Sequence, residues 1–280
     1  MDIVSIIIPA HNEEKNIGRL LEKLVTLDNA FQIIVVCNGC TDATATVVRD
    51  KFPSVLCIET KIASKTRALQ IGDFQASFWP RVYIDADVEI TAEHIYALVK
   101  EQRERHLAVI TPFVENNLKM SSFPVRAFYN IWSSLEYYKE GMIGSGIYSL
   151  SEYGRSQFYE WPDLISDDGY IRALFGLNER GVCKKSCVII HAPKTFAELI
   201  KTKTRSRLGR YQLQQKFPEI FREERKSKNY VFAFLVYLRR PGCWLDLIAY
   251  FLVNLITRIR AKRQMEFLDT YRWEKDLSTR

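Results

Sequence analysis

Four apolar runs of β type, at residues 3–9, 32–37, 55–59 and 81–84, recur about every 25 residues, and helical spacing fills the intervals between them. Ile17, Leu20, Leu21, Leu24 and Val25 mark the first helix, and residues 41–50 the second. The third spans 65–78, with Ala68, Leu69, Ile71 and Phe74 as its expected inner face. Strands that alternate with helices in this way can pair only through crossovers. The predicted fold is therefore α/β, a parallel sheet with right-handed connections. Such sheets gather ligands beyond the carboxyl ends of their strands, although the fold by itself assigns no activity.

The pattern continues less regularly. A helix is expected at 91–105, a strand at 108–113, and a helix at 123–138 whose aromatic face carries Phe128, Trp132 and Tyr137. Gly144, Ser145 and Gly146 hinge the start of another strand, and Ser166-Asp167-Asp168-Gly169 runs into a helix within 162–175. A strand follows at 188–190, then two basic helical segments at 195–208 and 211–226.

Charge divides the chain unequally. Residues 1–190 carry 20 basic and 24 acidic side chains, whereas residues 191–280 carry 20 basic and 9 acidic, a local charge of +11. A basic last third calls for a polyanionic partner. Nucleic acid is not the expected one, because no recognised binding motif is present and the aromatic residues fall inside apolar runs. The runs at 230–238 and 244–256 are the most hydrophobic in the chain, too short to span a bilayer and separated by Arg239-Arg240-Pro241-Gly242. With Lys226, Lys228, Arg258, Arg260, Lys262 and Arg263 around them, residues 230–263 read either as an interfacial hairpin on an anionic membrane or as two helices covering the domain.

Two observations bear on compartment. Met1-Asp2 lacks the basic start of a secretory signal. The six cysteines include Cys37-x-x-Cys40 and Cys183-x-x-x-Cys187, but these close strands and turns rather than framing a zinc site. Free thiols point to a reducing, cytoplasmic setting, at the inner face of the membrane if residues 230–263 dock there.

The fourth strand ends in Tyr83-Ile84-Asp85-Ala86-Asp87. Two carboxylates one residue apart at a strand end suit a hard divalent cation that bridges to phosphate; they also suit a plain turn in which Asp87 caps the next helix.

Taken in order, Pro9-Ala10-His11-Asn12-Glu13-Glu14, Asn38-Gly39-Cys40-Thr41-Asp42, Asp85-Ala86-Asp87 and Ser166-Asp167-Asp168 make the chain resemble the family-2 glycosyltransferases, inverting enzymes of the GT-A fold. The resemblance covers about residues 3–210. It implies a Rossmann-like, nucleotide-binding mixed sheet flanked by helices, as a catalytic domain over 1–210. Within that domain 1–114 is the nucleotide half and 115–210 the acceptor half. Residues 211–280 then form a basic, hydrophobic helical extension.

The same resemblance implies roles. Pro9, Ala10, Asn12 and Glu13 would hold the donor's nucleotide, with Asn38, and with Asp42 accepting the imide N–H of uracil. Asn12 and Asp42 could equally be helix caps. Lys65, preferred to Arg67, would face the diphosphate. Asp87 would hold Mn²⁺ or Mg²⁺, Asp85 would touch ribose or a metal-bound water, and His191 is the candidate third ligand. Asp168 would be the catalytic base, with Gly144, Ser145, Gly146 and Asp167 on the acceptor side. Segment 203–210 has arginines but no tryptophan where processive synthases carry one, which leans toward addition of one sugar.

The expected activity is transfer of a single sugar from a nucleotide-sugar donor, a UDP-sugar by preference, to a glycan or lipid-linked acceptor. Two alternatives compete with it. A nucleotidyltransferase would want a glycine-rich basic loop after the first strand, and Ala10-His11-Asn12-Glu13 is not one. A non-catalytic membrane-surface module is permitted by the basic last third.

Overall fold

The computed structural model describes residues 3–25, 30–135, 138, 145–225 and 244–268. Seven strands form one sheet: β1 (Val4–Ala10), β2 (Phe31–Asn38), β3 (Leu56–Thr60), β4 (Arg81–Ile84), β5 (Val109–Asn117), β6 (Ile147–Leu150) and β7 (Arg180–His191). Their order across the sheet is β3-β2-β1-β4-β6-β5-β7. The first four are mutually parallel, and β6 runs antiparallel to both β4 and β5. The sheet is therefore mixed, α/β and Rossmann-like in its first half.

Helices α1 (Ile17–Leu24), α2 (Thr44–Lys51) and α3 (Lys65–Gln75) make the crossovers among the parallel strands, and α4 (Ala92–Glu104) follows β4. All seven residues of β1 are buried, as a strand covered on both faces requires. Ile6, Ile7 and Ile8 are wholly inaccessible, and burial of each contributes about 1.5–3 kcal/mol.

The later helices are α5 (Phe123–Trp132), α6 (Glu152–Ser156), α7 (Asp167–Leu174), α8 (Phe196–Lys216), α9 (Pro218–Arg225) and α10 (Trp244–Met265). The chain divides into two compact units interleaved in sequence, one of residues 1–115, 144–163 and 177–188, the other of 116–143, 164–176 and 189–280. In the second unit Val125, Phe128, Leu199, Ile200 and Val253 form an apolar cluster.

Helix α3 does not present the face expected of it. Phe74 is 85% exposed, while Gly72 and Asp73 are buried. Two contacts explain the rotation. A Cβ on Gly72 would overlap Ile7 Cγ2 of β1, so the helix packs on the sheet through its glycine. Asp73 accepts hydrogen bonds from Arg81 Nη1 (2.9 Å), Tyr83 Oη (2.7 Å), Arg155 Nε (2.6 Å) and Trp161 Nε1 (2.6 Å). Four donors satisfy a buried carboxylate, which the core otherwise excludes.

Three further boundaries differ. The two basic segments expected at 195–208 and 211–226 meet in one continuous helix, α8, which passes through residue 210 and ends before Pro218. Glycine inside a helix costs about 1 kcal/mol, but a Cβ on Gly209 would come within 2.9 Å of Ser166 Cβ, and this close approach is what the glycine permits. Strand β7 is 12 residues long rather than three, because the exposed Lys184-Lys185 interrupts its apolar signal. It lies at the edge of the sheet, where charged residues are tolerated. Helix α6, capped by Ser151 Oγ accepting from Gly154 N at 3.0 Å, was too short to stand out.

Tyr137, Gly144 and residues 230–243 of the expected interfacial segment lie outside the described residues. Five described cysteines are unbridged, and Cys37 Sγ and Cys57 Sγ are 4.0 Å apart.

Candidate active site

Within the first unit, the parallel strands β1, β2 and β4 deliver their carboxyl ends to one edge of the sheet. The order around β1 reverses there, with β2 on one side and β4 on the other. Such a reversal is where open α/β sheets leave a crevice for ligands.

The loops after β1 and β2 hold each other. His11 Nδ1 lies 2.6 Å from the Asn38 carbonyl, and Asn12 Oδ1 accepts from Thr41 N at 2.8 Å. Glu13 N donates to Thr44 Oγ1 at 2.8 Å, and Glu14 N to Asp42 Oδ2 at 3.1 Å. Cys40 Sγ bonds the Ala10 carbonyl, and Ala10 and Asn38 are buried. Asn12 (φ 54°) and Gly39 (φ 61°) adopt the left-handed conformation that asparagine and glycine tolerate. A Cβ on Gly39 would meet Ala63 Cβ at 2.8 Å. The Asn12 and Asp42 side chains thus lock the two loops together; neither is a helix N-cap, positions taken by Asn16 and Ala43, and Asp42 Oδ1 instead accepts from Thr44 N and Oγ1 at 3.0 and 2.5 Å in the turn before α2. The His11 ring, to which the resemblance assigns no role, is one of these ties.

Asp42 titrates accordingly. Burial pushes its carboxyl up, but the bonds from the Thr44 hydroxyl and amide and from the Glu14 amide outweigh this and leave it below the usual value. With the folded value lowered, its contribution to stability is present above about pH 4, the unfolded value, and is lost as pH falls from there through the lower folded value. An acid titration of thermal midpoint is expected to fall less steeply below pH 4 in Asp42→Asn than in the wild type; parallel curves would count against this role.

At the end of β4, Asp85 Oδ1 is paired with Lys65 Nζ at 2.6 Å. Ser64 Oγ caps α3 by accepting from Arg67 N at 3.3 Å, which starts the helix at Lys65. Lys65 is half-buried, whereas Arg67 is exposed. A lysine in a first turn opposes the helix dipole, and here a carboxylate compensates it. Asp87 is exposed, two residues further on.

Gly146 closes on the same carboxylate. Its carbonyl accepts from Asp85 N at 2.7 Å, its φ is +65°, and an added Cβ would lie 2.7 Å from Val88 Cγ2 and 3.3 Å from Asp85 Oδ2. Gly146→Val is expected to cost about 2 kcal/mol in urea unfolding, from positive φ and overlap together; an unchanged midpoint would refute the steric reading. Ser145 is buried, and its hydroxyl bonds the Ile147 carbonyl at 2.8 Å and Thr111 Oγ1 at 3.2 Å, so its side chain braces the turn.

The second unit holds the remaining candidates. Ser166 caps α7 by accepting from Gly169 N at 3.2 Å and donates to Asp168 Oδ1 at 2.6 Å; Gly169 N also donates to that oxygen at 2.8 Å. Asp168 is half-buried in a fixed orientation, and Asp167 beside it is buried. His191 ends β7 and is exposed.

Asp85 and Asp87 offer oxygen donors alone, which fits a hard divalent cation. Among the described residues no group of three or more His, Cys, Asp and Glu side chains is gathered into a metal site.

The family described as "Glycosyl transferase family 2" matches residues 5–151. The 4,4'-diaponeurosporenoate glycosyltransferase of Staphylococcus aureus (strain MRSA252) is 28% identical over 161 residues, 55% of this chain and 40% of that protein. The chain thus aligns with less than half the length of that curated relative. The fold is similar to that of a mannosyltransferase from Pyrobaculum calidifontis in complex with GDP-Man and Mn²⁺ (TM-score 0.60, 15% identity, 96% of this chain and 76% of that one). It is also similar to glucosyl-3-phosphoglycerate synthase from Mycobacterium tuberculosis in complex with Mn²⁺, UDP-glucose and phosphoglyceric acid (TM-score 0.55, 18% identity, 76% and 79%).

Proposed function

Since the chain belongs to glycosyl transferase family 2 and has the GT-A fold of its structural neighbours, we propose that it moves a single sugar, with inversion, from a nucleotide-sugar donor to a glycan or lipid-linked acceptor. The donor favoured is a UDP-sugar. The observation that best supports this reading is the Lys65–Asp85 ion pair, beside Asp87, at the carboxyl end of β4.

In this reading Asn12, Glu13, Asn38 and Asp42, with the backbone of Pro9 and Ala10, shape the nucleotide pocket. Asp85 and Asp87 are the protein's ligands to a divalent cation, Mn²⁺ or Mg²⁺, with His191 as the candidate third. Bound there, the cation supplies neutralisation of the departing diphosphate. Lys65 turns from Asp85 toward the same phosphates. Asp168 takes the proton of the acceptor hydroxyl as that oxygen attacks the anomeric carbon, with Ser166 and Gly169 holding its Oδ1 side. One carboxylate suffices, because inversion forms no covalent intermediate. Residues 115–210 are assigned to the acceptor, Gly144 to Gly146 and Asp167 among them. The reaction is placed in the cytoplasm.

Proton NMR of α-linked UDP-sugars incubated with the protein and Mn²⁺ tests this. UDP release with the β-configured sugar appearing first is expected. First appearance of the α anomer, or no turnover of any nucleotide sugar across a donor and acceptor panel, would overturn it.

A further inference from the structure

Helix α10 is apolar on two sides, one packed within the second unit and the other exposed to solvent. On the inner side Val253, Thr257 and Ala261 are buried, and Tyr250 stacks on Phe128 of α5 at 5.5 Å. Arg207 of α8 clasps the same side, with Nη2 2.6 Å from Asn254 Oδ1 and Nε 3.2 Å from Thr257 Oγ1. Asp246, the helix's sole acidic residue, accepts from Asn130 Nδ2 at 3.1 Å.

The outer side carries Trp244, Ile248, Phe251, Leu252, Leu255 and Ile259, each between 46% and 58% exposed. At 100° per residue these six fall within an arc of about 100°, and they extend roughly 22 Å along the helix. Arg258, Lys262 and Arg263, all exposed, continue the arc and border it at its carboxyl end. An apolar stripe of this length with cationic margins is not an ordinary solvated face. Among the described residues no helix is long and apolar enough to cross a membrane.

We propose that this outer face of α10 lies in the plane of an anionic bilayer, its apolar arc among the upper acyl chains and its arginines and lysine at the phosphates. The charge decides the occupant. Residues 191–280 carry +11, and three of the four cations on the helix, Arg258, Lys262 and Arg263, border the apolar arc where headgroups would meet them, Arg260 lying off it. The helix then serves two purposes, closing the second unit with one face and docking with the other. This does not rest on sugar transfer, and its test needs no donor.

The full chain is floated with vesicles of phosphatidylcholine alone and of phosphatidylcholine with phosphatidylglycerol. Flotation is expected with the anionic vesicles only. Ile248→Glu/Leu255→Glu, which alters outward positions, should lower the bound fraction at least about tenfold at an unchanged thermal midpoint. Lys262→Glu/Arg263→Glu should remove the preference for anionic lipid. The proposal fails if the wild type stays with the soluble fraction, or if the Ile248→Glu/Leu255→Glu protein floats undiminished. It fails equally if the wild type is a dimer that this variant dissociates while neither binds vesicles, since the stripe would then be covered by a second copy.

Discussion

Asp168→Asn is expected to lower turnover about 10³-fold, roughly 4 kcal/mol of transition-state stabilisation, while donor affinity changes less than about twofold. The local geometry makes this substitution clean. Asparagine keeps an Oδ1 that can accept from Ser166 Oγ and Gly169 N, the two donors that orient the aspartate at 2.6 and 2.8 Å. The cap of α7 and the side-chain rotamer are preserved, and the basic carboxylate is what disappears. A variant that folds, binds donor and does not transfer is the signature of a lost base. Turnover within tenfold of wild type would exclude Asp168 from that role, and Asp167, buried next to it, would be the residue to test next.

The second large effect is expected at the end of β4, where two acids should respond differently. Asp85 is paired with Lys65 Nζ at 2.6 Å, and Asp87 is exposed in the turn that follows. Asp87→Asn should weaken Mn²⁺-dependent UDP binding at least about tenfold, or about 1.4 kcal/mol. Asp85→Asn removes one carboxylate but also releases Lys65, whose charge can then meet the diphosphate directly. Its metal-free UDP affinity should rise while its response to Mn²⁺ shrinks. Calorimetric titrations with and without Mn²⁺ separate the two, and indistinguishable variants would contradict the division of labour.

The placement of the site's loops could be read from the sequence because it is local. The loops at 9–14, 38–42 and 85–87 each follow an apolar strand, so their place at one edge of the sheet follows from the alternation of strands and helices. What could not be read depends on distant partners. Asp73 is out of place in an inner face until Arg155 and Trp161, 82 and 88 residues away, supply donors for it. With those donors in place the helix turns Phe74 outward. Gly209 reads as a helix break until Ser166 is seen packed against it. Lys184-Lys185 hides β7 because an edge strand need not alternate cleanly. The loop-to-loop bonds of His11, Asn12 and Asp42 are likewise invisible to spacing, since caps and ligand-binding residues draw on the same side chains.

Calorimetric titration of UDP into the wild-type protein, with Mn²⁺ and then with excess chelator, is the most direct test of the central claim that the edge formed by β1, β2 and β4 is a metal-assisted nucleotide site. One UDP per chain is expected in the presence of Mn²⁺, with affinity falling at least about tenfold on chelation. No binding of any nucleoside diphosphate, or binding indifferent to both chelator and Asp87→Asn, would contradict it.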